Sequence, residues 1–207
     1  MTDLHIHILP GVDDGAPDFS TALAMAEMAA ESGVRILAAT PHANQTGSVG
    51  AENGYVNYAS EYLTELFSHL EQEIKKAGIP IRLVRGMEIM SIGPLAEKIR
   101  AGMVLPLHNS RYYLIEVPFD MAPDGIQKRL IEVSDLGKIP VLAHPERYFC
   151  VQDTPELLHK FREKGAVLQM NKGSIFERFG KGAERAAQYL LENRLADCVA
   201  SDAHGAD

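Results

Sequence analysis

Five of the eight histidines in this sequence stand where short apolar runs end, and four carboxylates stand in matching places. His5 and His7 open the set in DLHIHILPGVDDG; His42 follows in ATPH, His144 in LAHPER and His204 in SDAH. Asp14, Glu88, Glu116 and Asp202 join them in VDDG, GMEI, LIEV and SDAH. Side chains two apart on a strand share a face, so His5 and His7 aim two imidazoles at one point. Asp202 and His204 repeat that spacing. Mixed nitrogen and oxygen donors suit divalent cations such as zinc and manganese. Nine donors exceed what one ion needs, which points to a cluster of two or three metals.

The individual residues sharpen this reading. Glu116 has apolar neighbours on both sides in LIEVP, and burying its charge unpaired costs several kcal/mol, so it needs a cation or an arginine. Glu88 is a carboxylate where a core residue would have continued the run, and a carboxylate readily bridges two cations. Asp13 and Asp14 compete for one role, the alternative for either being a turn former before Gly15. Arg147, in HPERY, offers the planar fork that binds phosphate bidentately; the plainer reading is a surface arginine paired with Glu146. Asn171, in QMNKGS, could orient substrate or a water, with Lys172 as a weaker anion contact. His69, His108 and His159 read as ordinary core or surface histidines, and Asn109 to Tyr112 as a structural turn.

Other chemistries find no support. Neither Cys150 nor Cys198 is followed by arginine at the spacing of a cysteine phosphatase, and no nucleotide-binding glycine loop occurs. Ser174 lacks the context of a nucleophile elbow.

The elements that must position these residues alternate. Short apolar runs at residues 4–8, 35–39, 81–85, 113–117, 141–143, 166–170 and 198–200 read as strands buried on both faces. Between them, helical patterns cover residues 18–31, 55–77, 124–136, 154–164 and 182–193. The fourth of these carries Thr154 as an expected cap and Pro155 in its first turn. Seven strands alternating with helices predict an α/β fold with a parallel sheet and right-handed crossovers, most economically a (β/α)7 barrel. Chemistry in such barrels gathers at the carboxyl ends of the strands, where the ligand candidates lie. No helical pattern follows the last strand before Asp207. A shortened chain or a neighbouring subunit in a homo-oligomer would account for that.

Bulk properties bound the rest. The 207 residues, 46% hydrophobic, suffice for one domain with a sizeable core. A net charge of −8 argues against a nucleic-acid or anionic-membrane surface. Two cysteines without paired spacing suggest a reducing compartment. No apolar run is long enough for membrane insertion, and the first ligand run leaves no room for a cleavable leader, so the cytoplasm is expected.

With these residues in hand, the sequence resembles the polymerase-and-histidinol-phosphatase (PHP) superfamily. More narrowly, it resembles that superfamily's bacterial capsular-polysaccharide protein-tyrosine phosphatases. The resemblance runs through DLHIHILPGVDDGA, ATPH, GMEI, NSRYYLIEVPF, GKIPVLAHPERY, LQMNKGS and SDAH. HxH alone is shared with many amidohydrolases; VDDG close behind it and HPERY later are specific to the subfamily. What the resemblance implies is a distorted seven-stranded barrel with a trinuclear, usually manganese-dependent site, iron or zinc being alternatives. By motif, His5, His7, Glu88 and Asp202 would hold one ion. Glu88 would bridge to a second, held by Glu116 and His144, and Asp14, His42 and His204 would hold the third. Arg147 matches the family's phosphate-facing arginine. Catalysis would then rest on Arg147, Asp14, His42 and His204, with a phosphotyrosine protein, a bacterial tyrosine kinase, as substrate. Two alternatives are a small-molecule phosphatase of the histidinol-phosphate kind and a non-hydrolysing binder of a tyrosine-rich kinase tail. Family members continue past SDAH into further helices, so the last helix is expected to be missing here.

Overall fold

Every apolar run identified in the sequence is extended in the structure, a computed structural model that describes residues 1–45 and 54–206. Asp207 lies outside the described residues. The runs give nine strands instead of seven, because two of them break and resume. β1 (Thr2–Ile6) is followed by β2 (Ile36–Ala39), which stops at Thr40-Pro41 and resumes as β3 (His42–Ala43). Proline has no N–H for the ladder, so a break there is expected. Thr40 repairs it, since its backbone N–H donates to Ile6 O at 3.0 Å and its Oγ1 accepts from Ile6 N at 3.0 Å. β4 (Arg82–Arg85) likewise stops at Gly86-Met87 and resumes as β5 (Glu88–Met90). β6 (Tyr112–Glu116), β7 (Ile139–Ala143), β8 (Val167–Asn171) and β9 (Cys198–Ala200) complete the set.

The strands form two parallel sheets, ordered β1-β2-β4 and β3-β5-β6-β7-β8-β9. Followed through the two breaks, neighbours succeed one another in chain order. The edges meet where Ile6 bridges Ala203, with His7 N donating to Ala203 O at 3.0 Å and Asp202 N to His5 O at 2.9 Å. Seven strand positions thus make a ring whose last junction is a bridge and not a full ladder, which is the distortion anticipated.

Helices occupy the crossovers. α1 (Phe19–Glu31) starts where Asp18 accepts from Thr21 N, and α2 (Glu61–Lys76) where Ser60 accepts from Leu63 N. α2 begins six residues later than the pattern suggested. Residues 55–60 are held as a loop instead, with Asn57 Nδ2 donating to Val12 O and His42 O at 2.9 and 2.8 Å. α3 (Ala96–Arg100) was not legible in the pattern, whereas α4 (Pro123–Ser134) was. An unexpected short helix, α5 (Phe149–Asp153), comes first, and the helix expected over residues 154–164 is the shorter α6 (Leu157–Glu163). Thr154 ends the first of them and does not cap the second. α7 (Gly180–Glu192) precedes β9, and no helix follows β9 among the described residues.

Strand alternation separates core from site. Tyr113, Ile115, Leu142, Leu168 and Met170 pack into the helix-covered core, while Leu114, Val141 and Ala143 form a small separate cluster. Glu116, Gln169 and Asn171 share the faces of Leu114 and Val167 by the period of two. The loop after β1 bends back on itself, with Ala16 N donating to His7 O at 3.0 Å and Gly11 N to Ala16 O at 2.8 Å. A Cβ on Gly15 would fall on the carbonyl oxygen and Cβ of His7, so only glycine lets the loop close there. Gly15→Ala is expected to cost about 1–3 kcal/mol as the loop lifts away, read as a lower midpoint in urea unfolding.

Candidate metal centre

All nine candidate ligands converge at one end of the ring. His5 sits on β1 and His7 just beyond it; His42 opens β3, Glu88 opens β5, Glu116 closes β6, and His144 follows β7. Asp202 and His204 follow β9. Parallel pairing puts His42 directly beside Glu88, because the register aligns their Cα atoms. The strand breaks therefore set up the site, by re-aiming the residue that resumes each strand.

Three sets of donor atoms stand close enough together to hold an ion each: His5, His7, Glu88 and Asp202; His7, Asp14, His42 and His204; and His42, Glu88 and Glu116. Within the first, His5 Nε2 lies 3.3 Å from Glu88 Oε1 and 3.2 Å from Asp202 Oδ1. His7 Nε2 lies 3.3 Å from Glu88 Oε2. His144 Nε2 is 2.8 Å from Glu88 Oε1 and 3.6 Å from Glu116 Oε1, beside two members of the third set. Asp14 Oδ1 stands 3.4 Å from both His42 Nε2 and His204 Nε2 at the open end. A cavity of about 200 Å³ opens over these groups, lined also by Phe119 and Arg147.

The donors fit cations on an observation independent of their types. Among the described residues seven buried side-chain atoms have no hydrogen-bond partner, and four of them, His42 Nδ1, Glu88 Oε2, Glu116 Oε2 and Asp202 Oδ1, lie in the cluster. His42 Nδ1 and Glu88 Oε2 are 2.9 Å apart, yet not aligned as donor and acceptor. Buried polar atoms are otherwise nearly always paired. Orphaned lone pairs gathered on one centre are what a metal site looks like from the protein side.

Protonation tells the same story. Burial would push His5 down, but the charges of Glu88 and Asp202 reverse this and carry it up to about 9. His7 is raised against its own burial by the hydrogen bonds it donates to the carboxylates around it, Asp13 first and then Asp202 and Glu88. Burial raises Glu116 well above the carboxylate range, and the Glu88 charge adds to it. Glu88 and Asp202 go the other way, held low despite burial by the neighbouring imidazoles. Without cations the cluster can keep its carboxylates ionised only by taking up protons elsewhere.

The geometry separates Asp13 from Asp14. The buried Asp13 carboxylate accepts from His7 Nδ1 at 2.8 Å, His42 N at 2.9 Å and Gly15 N at 3.0 Å, whereas Asp14 is half exposed and faces the cavity. Arg147 does not pair with Glu146. Its Nη1 donates to Asp202 Oδ2 at 3.1 Å, and its guanidinium lies 4.7 Å from the Phe119 ring centroid and 4.3 Å from that of Phe179. Glu146 is instead fully buried, accepting from Ser174 Oγ at 2.7 Å and Asn171 N at 2.9 Å, and burial pushes it up to about 7. Sequence reasoning missed Glu146, Phe119 and Phe179; the acidic residue between His144 and Arg147 was the only hint. Lys172 is a correction. It lines a separate groove beside Val199 and Met28, because a 3-10 turn begins directly after Asn171 and carries it away from the cavity. His69, His108 and His159 take no part, contacting Glu73, Arg82 and Tyr189 respectively.

Two of the presumptive ligands sit in left-handed backbone, His144 at φ 33° and Asp202 at φ 50°. Such conformations cost roughly 1–3 kcal/mol each in non-glycine residues and gather at functional sites. Here Arg147 N donates to His144 O at 2.9 Å, and the bond from Asp202 N to β1 fixes the second. No helix among the described residues is long and apolar enough to cross a membrane.

Known proteins are similar to this chain in sequence and fold. Tyrosine-protein phosphatase YwqE of Bacillus subtilis is 36% identical over 204 residues, 99% of this chain and 77% of that protein. Tyrosine-protein phosphatase CpsB of Streptococcus agalactiae is 29% identical over 212 residues, 100% of this chain and 84% of that one. A crystal structure from work on YwqE of Bacillus subtilis and CpsB of Streptococcus pneumoniae, described as metal-dependent tyrosine phosphatases, superposes with a TM-score of 0.87 at 36% identity. It covers 99% of this chain and 80% of that chain. A Listeria monocytogenes protein named as a candidate histidinol phosphatase shares the fold at 12% identity, with a TM-score of 0.56. The family model for capsular polysaccharide synthesis, CpsB/CapC, matches residues 1–207, and the chain belongs to that family.

Proposed function

We propose that this chain is a metal-dependent phosphomonoester hydrolase, a protein-tyrosine phosphatase acting in the cytoplasm on a phosphorylated bacterial tyrosine kinase of polysaccharide synthesis. The observation that carries the reading is the convergence of orphaned buried donors beneath a cavity whose wall presents Arg147. His5, His7, Glu88 and Asp202 would hold one ion. Glu88, Glu116 and His144 would hold a second, and Asp14, His42 and His204 a third, with manganese the first choice of metal. Bound divalent ions supply a water acidified toward neutral pH and positive charge against the phosphoryl oxygens.

The chain's own residues do the rest. Phe119 and Phe179 flank the Arg147 guanidinium, while one in-plane N–H is already committed to Asp202. What stays free is the edge of the fork, the part that binds phosphoryl oxygens. Such a clamped cation is aimed before substrate arrives, so little is lost in ordering it. The proton for the departing oxygen would come from a water held beside His42 or His204 at the mouth of the cavity. A phenol, with a pKa near ~10, asks less of that acid than an alkyl alcohol does. No nucleophile of the chain is needed. Cys198, half-buried on β9, has its thiol pushed up to about 12 by burial and Asp197, and neither cysteine lines the cavity.

Four outcomes are expected. Chelation should lower the thermal midpoint of the purified protein, and manganese should restore it, by about 2.7 kcal/mol of stabilisation at a hundred times the dissociation constant. On a phosphotyrosine peptide with added manganese, Glu88→Ala should lose bound metal by elemental analysis together with turnover. Arg147→Ala should keep its metal and lose turnover by roughly 10²–10³-fold. Turnover of histidinol phosphate in preference to the peptide would favour the small-molecule reading; tight peptide binding without phosphate release would favour a binder. Finally, enzyme quenched in acid during turnover of labelled substrate should carry no phosphate, and a stable phosphoenzyme would overturn the mechanism.

A further inference from the structure

Two amides lie fully buried beneath the cluster, on the inward positions of β8, and their hydrogen bonds form one chain with one direction. Asp202 Oδ2 accepts from Asn171 Nδ2 at 2.6 Å. A carboxylate can only accept when ionised, so the NH₂ end of Asn171 must face it. That turns Asn171 Oδ1 toward Gln169, whose Nε2 donates to it at 3.0 Å. Gln169 then presents Oε1 to His5 Nδ1 at 2.9 Å. An oxygen opposite Nδ1 requires a proton on Nδ1, and a neutral imidazole so protonated carries its lone pair on Nε2. Reversing Asn171 would set an amide oxygen against the Asp202 carboxylate, and reversing Gln169 alone would set two amide oxygens against each other. The relay has a single sense.

His5 Nε2 is the atom that faces Glu88, Asp202 and His7 Nε2, the last at 3.3 Å. Two ring nitrogens that close cannot both point protons at each other. On the other side, the bond from His7 Nδ1 to Asp13 sets the same tautomer by a carboxylate. We propose that Gln169 and Asn171 are positioning residues that lock His5 in its Nδ1–H form and so deliver its Nε2 lone pair to the cation site, a role that rests on the metal-centre reading above. The burial of both amides supports this. A glutamine inside an otherwise apolar strand costs stability unless both its ends are paired, and here both are. Outer partners of this kind are worth about 10–100-fold in metal affinity. Because Asp202 also accepts from Arg147, the same carboxylate anchors the amide relay and the phosphate-facing arginine.

The test uses the full chain, labelled with ¹⁵N-histidine and loaded with zinc, which is diamagnetic. Long-range proton–nitrogen correlation should show His5 protonated at Nδ1 and zinc-bound through Nε2. Gln169→Leu should mix that signature and weaken zinc binding by about 10–100-fold, with Asn171→Ala giving a smaller loss of the same kind. Gln169→Glu keeps an oxygen opposite Nδ1 and should preserve the tautomer. A wild-type His5 bound through Nδ1, Gln169→Leu with unchanged affinity and signature, or Gln169→Glu behaving like Gln169→Leu would each overturn the relay while leaving the metal centre standing. Failure of the wild-type chain to take up zinc would overturn the metal centre itself, and the relay with it. Should Gln169→Leu not fold, the wild-type spectrum and Asn171→Ala still decide.

Discussion

Crowded negative charge is the constraint from which the rest of the site follows. Asp13, Asp14, Glu88, Glu116 and Asp202 lie around one small volume, with Arg147 as the permanent cation among them. Like charges at such distances, out of water, cannot all persist. Without cations the crowding pushes the imidazoles of His5 and His7 and the carboxyl of Glu116 toward their protonated forms. Divalent ions answer better, because each neutralises two charges and uses lone pairs that are otherwise orphaned. The ring can bring these side chains together only if something positive, protons or metal ions, goes with them, which is why bound metal is expected to stabilise the fold.

The backbone meets that demand by departing from regularity at chosen points. A ring of unbroken parallel strands would send alternate side chains inward at fixed intervals and spread the donors along its length. Breaking two strands at Thr40-Pro41 and Gly86-Met87 resets the alternation just before His42 and Glu88. Left-handed residues at His144 and Asp202 do the same after β7 and β9. Each irregularity weakens a ladder locally, and each is bridged by a specific bond, such as Thr40 Oγ1 to Ile6 N. The distortion of the ring and the compactness of the cluster have one cause.

This division also explains what was legible in the sequence. The positions of the candidate donors could be read because each is a chemically distinctive residue at the end of an apolar run, and the seven strand positions follow from the runs themselves. The breaks could not be read, since a two-residue strand such as β3 has no periodicity of its own. Thr154 looked like a helix cap on composition, but the chain uses it to end α5, and packing against α7 decides that. Lys172 followed Asn171 closely enough to seem part of the site, and only the 3-10 turn shows that it leaves. Gln169 and Asn171 did leave a trace. Two polar residues at alternate places in VLQMN are costly in a buried strand unless something buried needs them.

Exposure grades the cluster, and the gradient bears on which substrate it serves. His5, His7, Glu88 and His144 are sealed in the floor, while the side chains of Asp14 and His204 are 53% and 34% exposed. Sealed donors bind ions in a low-dielectric setting, where electrostatic forces are strong and water cannot compete. Open donors and the clamped edge of Arg147 meet whatever arrives from solvent. A free metabolite could be enclosed more completely than this, with its remaining groups read by side chains around it. Among the described residues, the cavity wall apart from Phe119 and Gln45 consists of the candidate ligands and Arg147, which offer grip on a phosphoryl group. That suits a phosphate presented on an aromatic side chain, whose carrier supplies the remaining contacts outside the cavity. Recognition of the rest of the substrate then belongs to the protein surface around the mouth, and the buried centre need recognise only phosphorus and its oxygens.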